Sequence, residues 1–231
     1  MTKNQIGFTS SLSNYLVADG LTIYLDATNP LSYNNTNIWY DLTNNGYDAT
    51  LYNGFTFSND NGGVVLFDGG GASFNPSIAT RGEINIDLSG SDCTIIYGSR
   101  YMQNTPGFIP SGRSLGGKNL NWLLGTWANN TGVFYTPATD FLLPPSSTDL
   151  DWHIYTGVMG SYKGLWDNDT KLVGTTSVPL PTGPNGIVLG SDGIYGESAN
   201  CQISFLLVYN RILTDSEILR NFNYFKNRLN L

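Results

Sequence analysis

The chain has 231 residues, a formal charge of −7 and a pI of about 4.4. That balance argues against nucleic acid or an anionic membrane as its main partner, and no stretch approaches the ~20 apolar residues of a membrane span. Three Glu against fifteen Asp, with 27 Gly and many Asn and Thr, point to turns and strands rather than helices.

Residues 1–19 are polar and unpatterned, with Ile6, Phe8, Leu12, Tyr15 and Leu16 scattered among Ser, Asn and Thr. They are expected to form an arm, disordered or ordered only on a partner, with Phe8 among its assembly anchors. The arm also lacks the apolar core of a signal peptide, so the expected place of synthesis and assembly is a cytoplasm. One domain is expected over 20–231, since no linker or repeat divides it. Strands are expected at 21–26, 48–52, 64–68, 83–87, 94–101, 122–127, 132–136, 153–159, 163–166, 171–174, 187–190 and 202–209. The long connections 102–121 and 137–151 have the length of binding or assembly loops. Arg100, Arg113 and Lys118 form the one positive cluster, around the first of these loops, and Arg113 and Lys118 are expected to meet an acidic neighbour. Cys93 and Cys201 each begin an apolar strand. They read as small buried thiols, with a bridge left open if the two strands are neighbours.

The clearest local signals are at the C-terminus. Ile203 to Tyr209 is a continuous apolar run, which suits a strand buried on both faces. Thr214 stands three residues before Glu217, the capping-box spacing. Ile218, Phe222, Phe225 and Leu229 then follow at helical spacing, with Arg220, Asn223 and Lys226 on the other face.

The segment "ISFLLVYNRILTDSEILRNF" resembles the closing segment of laminin-G-like domains of the concanavalin A-like lectin/glucanase superfamily. "GLTIYLDATNPLSY" and "IWYDLTNNGYDATLYNGFTFSNDNGGVVLFDGGG" are similar to the opening of members found in tailed-phage particle proteins. The resemblance brackets residues 20–229. It implies an all-β fold, an antiparallel jelly-roll β-sandwich with one C-terminal helix. It further implies a non-enzymatic virion protein, a capsid decoration or a head or tail appendage. Such a protein is assembled in the host cytoplasm and present in multiple copies beside other virion proteins. A free-standing carbohydrate-binding lectin or adhesin is the alternative, and a glycoside hydrolase the third reading.

Each chemistry has its candidates. "EINID", Glu83 to Asp87, resembles the acidic strand of laminarinase-type hydrolases, with Asn85 in place of the middle carboxylate. On a regular strand Glu83 and Asp87 lie about 13 Å apart at ~3.3 Å per residue. Glycosidases need their carboxyls ~5–9.5 Å apart, so no catalytic residue is expected. His153 is the only histidine, which excludes a zinc site with two separated cysteines. Many laminin-G-like and lectin domains hold Ca²⁺, and Asp167 and Asp169 in "WDNDT" are the candidate ligands, beside Asp26, Asp41 and Asp68 at strand ends. Acid–amide pairs at strand ends are also plain turn chemistry. Trp39 and Tyr40 are the candidates for stacking on a sugar ring.

Overall fold

The computed structural model describes residues 15–69, 80–102, 112–127, 130–136, 139–142, 150–175, 182–192, 194–195 and 197–231. Its strands are β1 (Leu21–Asp26), β2 (Ile38–Trp39), β3 (Ala49–Tyr52), β4 (Thr56–Ser58), β5 (Val64–Asp68), β6 (Arg81–Ser89), β7 (Cys93–Tyr101) and β8 (Leu115–Gly117). They continue with β9 (Leu123–Trp127), β10 (Asn130–Thr136), β11 (Thr139–Leu142), β12 (His153–Met159), β13 (Lys163–Asp167), β14 (Thr170–Thr175), β15 (Thr182–Leu189) and β16 (Asn200–Tyr209), before helix α1 (Asp215–Leu229). Two eight-stranded antiparallel sheets form a sandwich. The first runs β14-β13-β12-β7-β16-β5-β4, with β1 also beside β16; the second runs β11-β10-β9-β8-β15-β6-β3-β2. The expected fold class is therefore the one observed. All twelve expected strands are present, and β2, β4, β8 and β11 are additional.

Strand β16 is the axis of the first sheet. On one side it pairs with β7 from Cys201 to Tyr209. On the other, β5 pairs with Asn200–Ile203 and β1 with Phe205–Tyr209. Ser204, at the handover, accepts a hydrogen bond from the Ala27 amide (2.9 Å). Period-two alternation sends Leu206 and Val208 into the core between the sheets and Phe205, Leu207 and Tyr209 to the opposite face. Both faces are covered, which is why the run reads as continuously apolar.

The covering on the far face is α1. The Glu217 amide donates to Thr214 Oγ1 (3.3 Å) and the Thr214 amide to Glu217 Oε2 (2.9 Å), closing the capping box. Arg211 donates to both Glu217 oxygens (2.6 and 3.0 Å), and these bonds hold that carboxyl at about 2. Ile218, Phe222, Phe225 and Leu229 face the sheet, as their spacing predicts.

The arm is corrected over its last residues. Leu16 and Val17 are buried against α1 and β16, in the chain's own body rather than on a partner. Val17 donates its amide to Asn221 Oδ1 (3.0 Å) and accepts from the Tyr209 hydroxyl (3.0 Å), so an apolar pair with satisfied backbone docks here. Phe8 lies outside the described residues.

The cysteines sit on neighbouring strands, yet the register forbids a bridge. Cys201 faces Tyr101, while Cys93 lies at the far end of β7, where Thr94 faces Tyr209. Eight residues of strand, about 26 Å, separate their levels, against the 4.4–6.8 Å between Cα atoms that a disulfide needs. Both are buried free thiols; burial pushes Cys93 up to about 12 and raises Cys201 as well.

Candidate sugar-binding groove on the second sheet

Strand β6 turns Ile84 and Ile86 into the core and sets Glu83, Asn85 and Asp87 on the outer face of the second sheet. Next to it, β15 carries Asn185 and Gly186, with Asn185 level with Asp87. On the other side of β15, the turn between β8 and β9 brings in Lys118 and Asn119. Their amides donate to the Gly186 and Asn185 carbonyls (3.2 and 3.0 Å). Gly186 has φ +75°, and an added Cβ would fall 2.5 Å from that of Lys118, so the lysine stem passes over bare backbone. Tyr47, partly buried just before β3, borders the same place. Together Tyr47, Asn85, Ile86, Asp87, Asn119, Asn185 and Gly186 line a groove of about 290 Å³.

The polar atoms are oriented by bonds to one another and to adjacent side chains. Lys118 Nζ donates to Asn85 Oδ1 (2.8 Å), which leaves the two Asn85 amide hydrogens for another acceptor. Asn119 Nδ2 donates to Asn185 Oδ1 (2.8 Å), which leaves the Asn119 oxygen as acceptor and the Asn185 amide hydrogens as donors. Asp87 Oδ1 accepts from the Ser89 hydroxyl and amide (2.5 and 2.9 Å), and these bonds hold its carboxyl below the usual range. Glu83 bridges Arg81 Nε (2.7 Å) and Lys118 Nζ (2.9 Å). Burial alone would raise the Glu83 carboxyl, but the bonds from Lys118 and Arg81 outweigh it and lower it.

The residues singled out from the sequence are placed differently. Trp39 is fully buried, edge-on to Tyr33 at 6.2 Å between ring centroids, so no sugar can reach its face. It looks exposed in a polar stretch, but β2 pairs with β3 and carries it under the second sheet. Tyr40 is half-buried and pinned through its backbone: its amide donates to the Ser32 carbonyl (2.7 Å) and its carbonyl accepts from Ser32 Oγ (2.6 Å). Tyr40 is not part of the groove wall.

Asp167 is held by His153 Nδ1 (2.7 Å), and Asp169 accepts from the hydroxyl of its neighbour Thr170 (3.2 Å). Between them Asn168, at φ 56°, accepts from the Ile154 amide through Oδ1 (2.9 Å) and forms the hairpin tip. Among the described residues no three His, Cys, Asp or Glu side chains converge on a metal position. Calcium takes six to eight oxygens; in this turn the Asp167 carboxylate is engaged by His153 and the Asn168 oxygen by the Ile154 amide. Asp26 and Asp41 likewise serve the fold: Asp26 accepts from Thr28 and Arg228, and Asp41 from Tyr24 and Thr43.

The positive cluster also separates. Arg113 is buried, ion-paired with Asp192 (3.1 Å) and hydrogen-bonded to Glu197 (2.5 Å) and Asn121 (2.7 Å), so it is an internal fastener rather than an assembly contact. Arg100 donates to Gln202 (2.7 Å) on β16. Lys118 alone stands at the groove. Asn119, Asn185 and Tyr47 were not picked out from sequence; the signal available was amides in glycine-flanked turns, "GGKNLN" and "GPNGIV".

No protein-family model and no curated protein matches the chain. Solved structures do. The binding domain of Paraclostridial Mosquitocidal Protein 1 superposes with a TM-score of 0.67 at 16% identity, over 90% of this chain and 53% of that one. Trypanosoma rangeli sialidase in complex with the inhibitor DANA gives 0.66 at 16%, over 90% and 33%. A botulinum neurotoxin type C structure, described as showing cell entry dependent upon interaction with two ganglioside molecules, gives 0.62 at 12%, over 92% and 52%. The chain thus spans a third to a half of the length of these neighbours, and what it shares with them is the two-sheet β-sandwich.

Proposed function

We propose that this chain is a carbohydrate-binding module that holds a glycan in the groove of the second sheet. The observation that carries the reading is the groove's polar set. Three carboxamides, fixed by one another and by Lys118, present both donors and acceptors beside a tyrosine. Sugar hydroxyls both donate and accept, so an amide pair meets a vicinal diol without burying a charge. The volume, about 290 Å³, lies at the small end of the ~300–1,000 Å³ usual for ligand sites and suits one ring or two. Support also comes from neighbours of the same fold, one a toxin binding domain and one a toxin described as engaging gangliosides. These neighbours lend nothing to the virion role, its partner proteins or its location, which rest on the sequence resemblance alone. The lectin reading is therefore preferred.

The test is titration of the purified chain with a panel of oligosaccharides. Asn85→Ala and Asn185→Ala are each expected to weaken binding about tenfold or more. The basis is that a ligand hydroxyl left without its partner costs ~1–3 kcal/mol. Variants that bind as tightly as the unaltered chain would remove the groove from the reading.

We also propose that binding occurs without cleavage. Glu83 is tied to two cations and Asp87 to Ser89, and these bonds favour the charged form of both carboxyls, so neither is poised as the protonated acid that glycoside cleavage needs. Incubation with bound glycans should release no new reducing ends. Turnover abolished by Glu83→Gln would refute this.

A further inference from the structure

We infer that the groove selects uncharged glycans, and that Glu83 and Asp87 are the residues that set this preference. The inference rests on the carbohydrate-binding reading and specifies its ligand class.

Two cations lie near the groove, and both are paired with one carboxylate. Glu83 Oε1 takes Arg81 Nε at 2.7 Å and Glu83 Oε2 takes Lys118 Nζ at 2.9 Å. Lys118 gives a second of its three hydrogens to Asn85 Oδ1 at 2.8 Å. The Arg81 guanidinium also lies 4.7 Å over the Tyr52 ring, on the side of β6 that faces β3. With Asp87 the local count is two cations against two anions, and it is Asp87, not a cation, that lines the groove.

A carboxylated or sulfated sugar needs a charge-assisted donor, of which an arginine fork is the strongest. Here it would meet amides, which suffice for hydroxyls, and the Asp87 carboxylate, which repels it. The whole chain, at −7, adds to that repulsion. Glu83 thus has two roles: it keeps Lys118 from serving as an anion receptor, and it holds Lys118 where it orients Asn85. Asp87, on the outer face and joined to Ser89, supplies the repelling charge directly.

The experiment compares neutral oligosaccharides with their sulfated and sialylated counterparts on an array, followed by titration calorimetry of the best matched pair. The readout is the ratio of neutral to charged affinity. It is expected to be tenfold or more for the unaltered chain and to fall at least threefold in Glu83→Gln and in Asp87→Asn. Thermal melting checks that each variant is folded. Asp87→Asn keeps the test valid if Glu83→Gln is not, because Asp87 is exposed. Equal or tighter binding of the charged member, or a ratio unmoved in folded variants, would overturn the charge preference and leave the module reading standing. Binding of no member of either class would overturn both.

Discussion

Replacing Arg113 with alanine is expected to lower the free energy of unfolding by about 3–5 kcal/mol, the loss typical of breaking one side of a buried ion pair. Arg113 is 4% exposed and Asp192 0%. The guanidinium is ion-paired with Asp192 (3.1 Å) and donates to Glu197 (2.5 Å) and Asn121 (2.7 Å). Its backbone joins the same loop, where the Arg113 amide donates to the Glu197 carbonyl (3.1 Å). Asp192 in turn accepts the amides of Ile194 and Tyr195 (3.1 and 2.7 Å), and Glu197 accepts from the Trp127 indole (3.3 Å). Alanine would leave the buried Asp192 and the part-buried Glu197 carboxylates without their cation and lose the packing of the arginine stem. Arg113→Lys keeps the charge but not the planar fork, so its loss should fall between. Urea unfolding monitored by tryptophan fluorescence measures both. A loss under about 1 kcal/mol for alanine would show that water reaches these carboxylates and that the site is a surface pair.

Arg113 also marks the limit of what the sequence discloses. From the sequence Arg113 reads as one of a positive cluster meeting an acidic neighbour in an assembly, because its actual partners lie about 80 positions away at Asp192 and Glu197 and no local pattern links them. The long strands were legible for the opposite reason. Alternation along β6, or the unbroken run of β16, is a local record of which faces are covered. The helix was legible because capping is local chemistry, written in Thr214 and Glu217. Strands such as β2 and β8 are two and three residues long and carry no period of their own. They exist because β3, β9 and β15 offer their edges. That also hid Trp39, which two-residue β2 carries inside. The groove was half visible: Asn85 and Asp87 stood out as a degraded acidic strand, but their meeting with Asn119 and Asn185 is a product of sheet order alone.

Phe222→Ala is expected to cost about 3–5 kcal/mol, and Phe225→Ala at least as much, as for other emptied aromatic sites in cores. Phe222 is 6% and Phe225 1% exposed, both on the face of α1 that covers the first sheet. The Phe225 ring stacks on Phe205 of β16, with ring planes 7° apart, and meets Tyr24 edge-on at 6.5 Å. The close approach of helix to sheet is made possible by Gly98 on β7. A Cβ there would lie 2.5 Å from the Phe205 ring and 2.9 Å from Leu229. Arg228 fixes the helix end over the same rings. Its guanidinium is 4.9 Å from the Phe225 centroid and donates to Asp26 Oδ1 (2.9 Å). In the middle of the helix Asn221 joins Val17 and Tyr209 through two bonds of 3.0 Å. A helix tied at its middle and its C-terminal end to β16 and β1 should not peel away before the sandwich does, so each variant is expected to unfold in one transition at lower denaturant with an unchanged slope. An unmoved midpoint for Phe222→Ala would show that residue to be exposed. A separate early transition would show the helix to be a lid on an independently stable sandwich rather than part of its core.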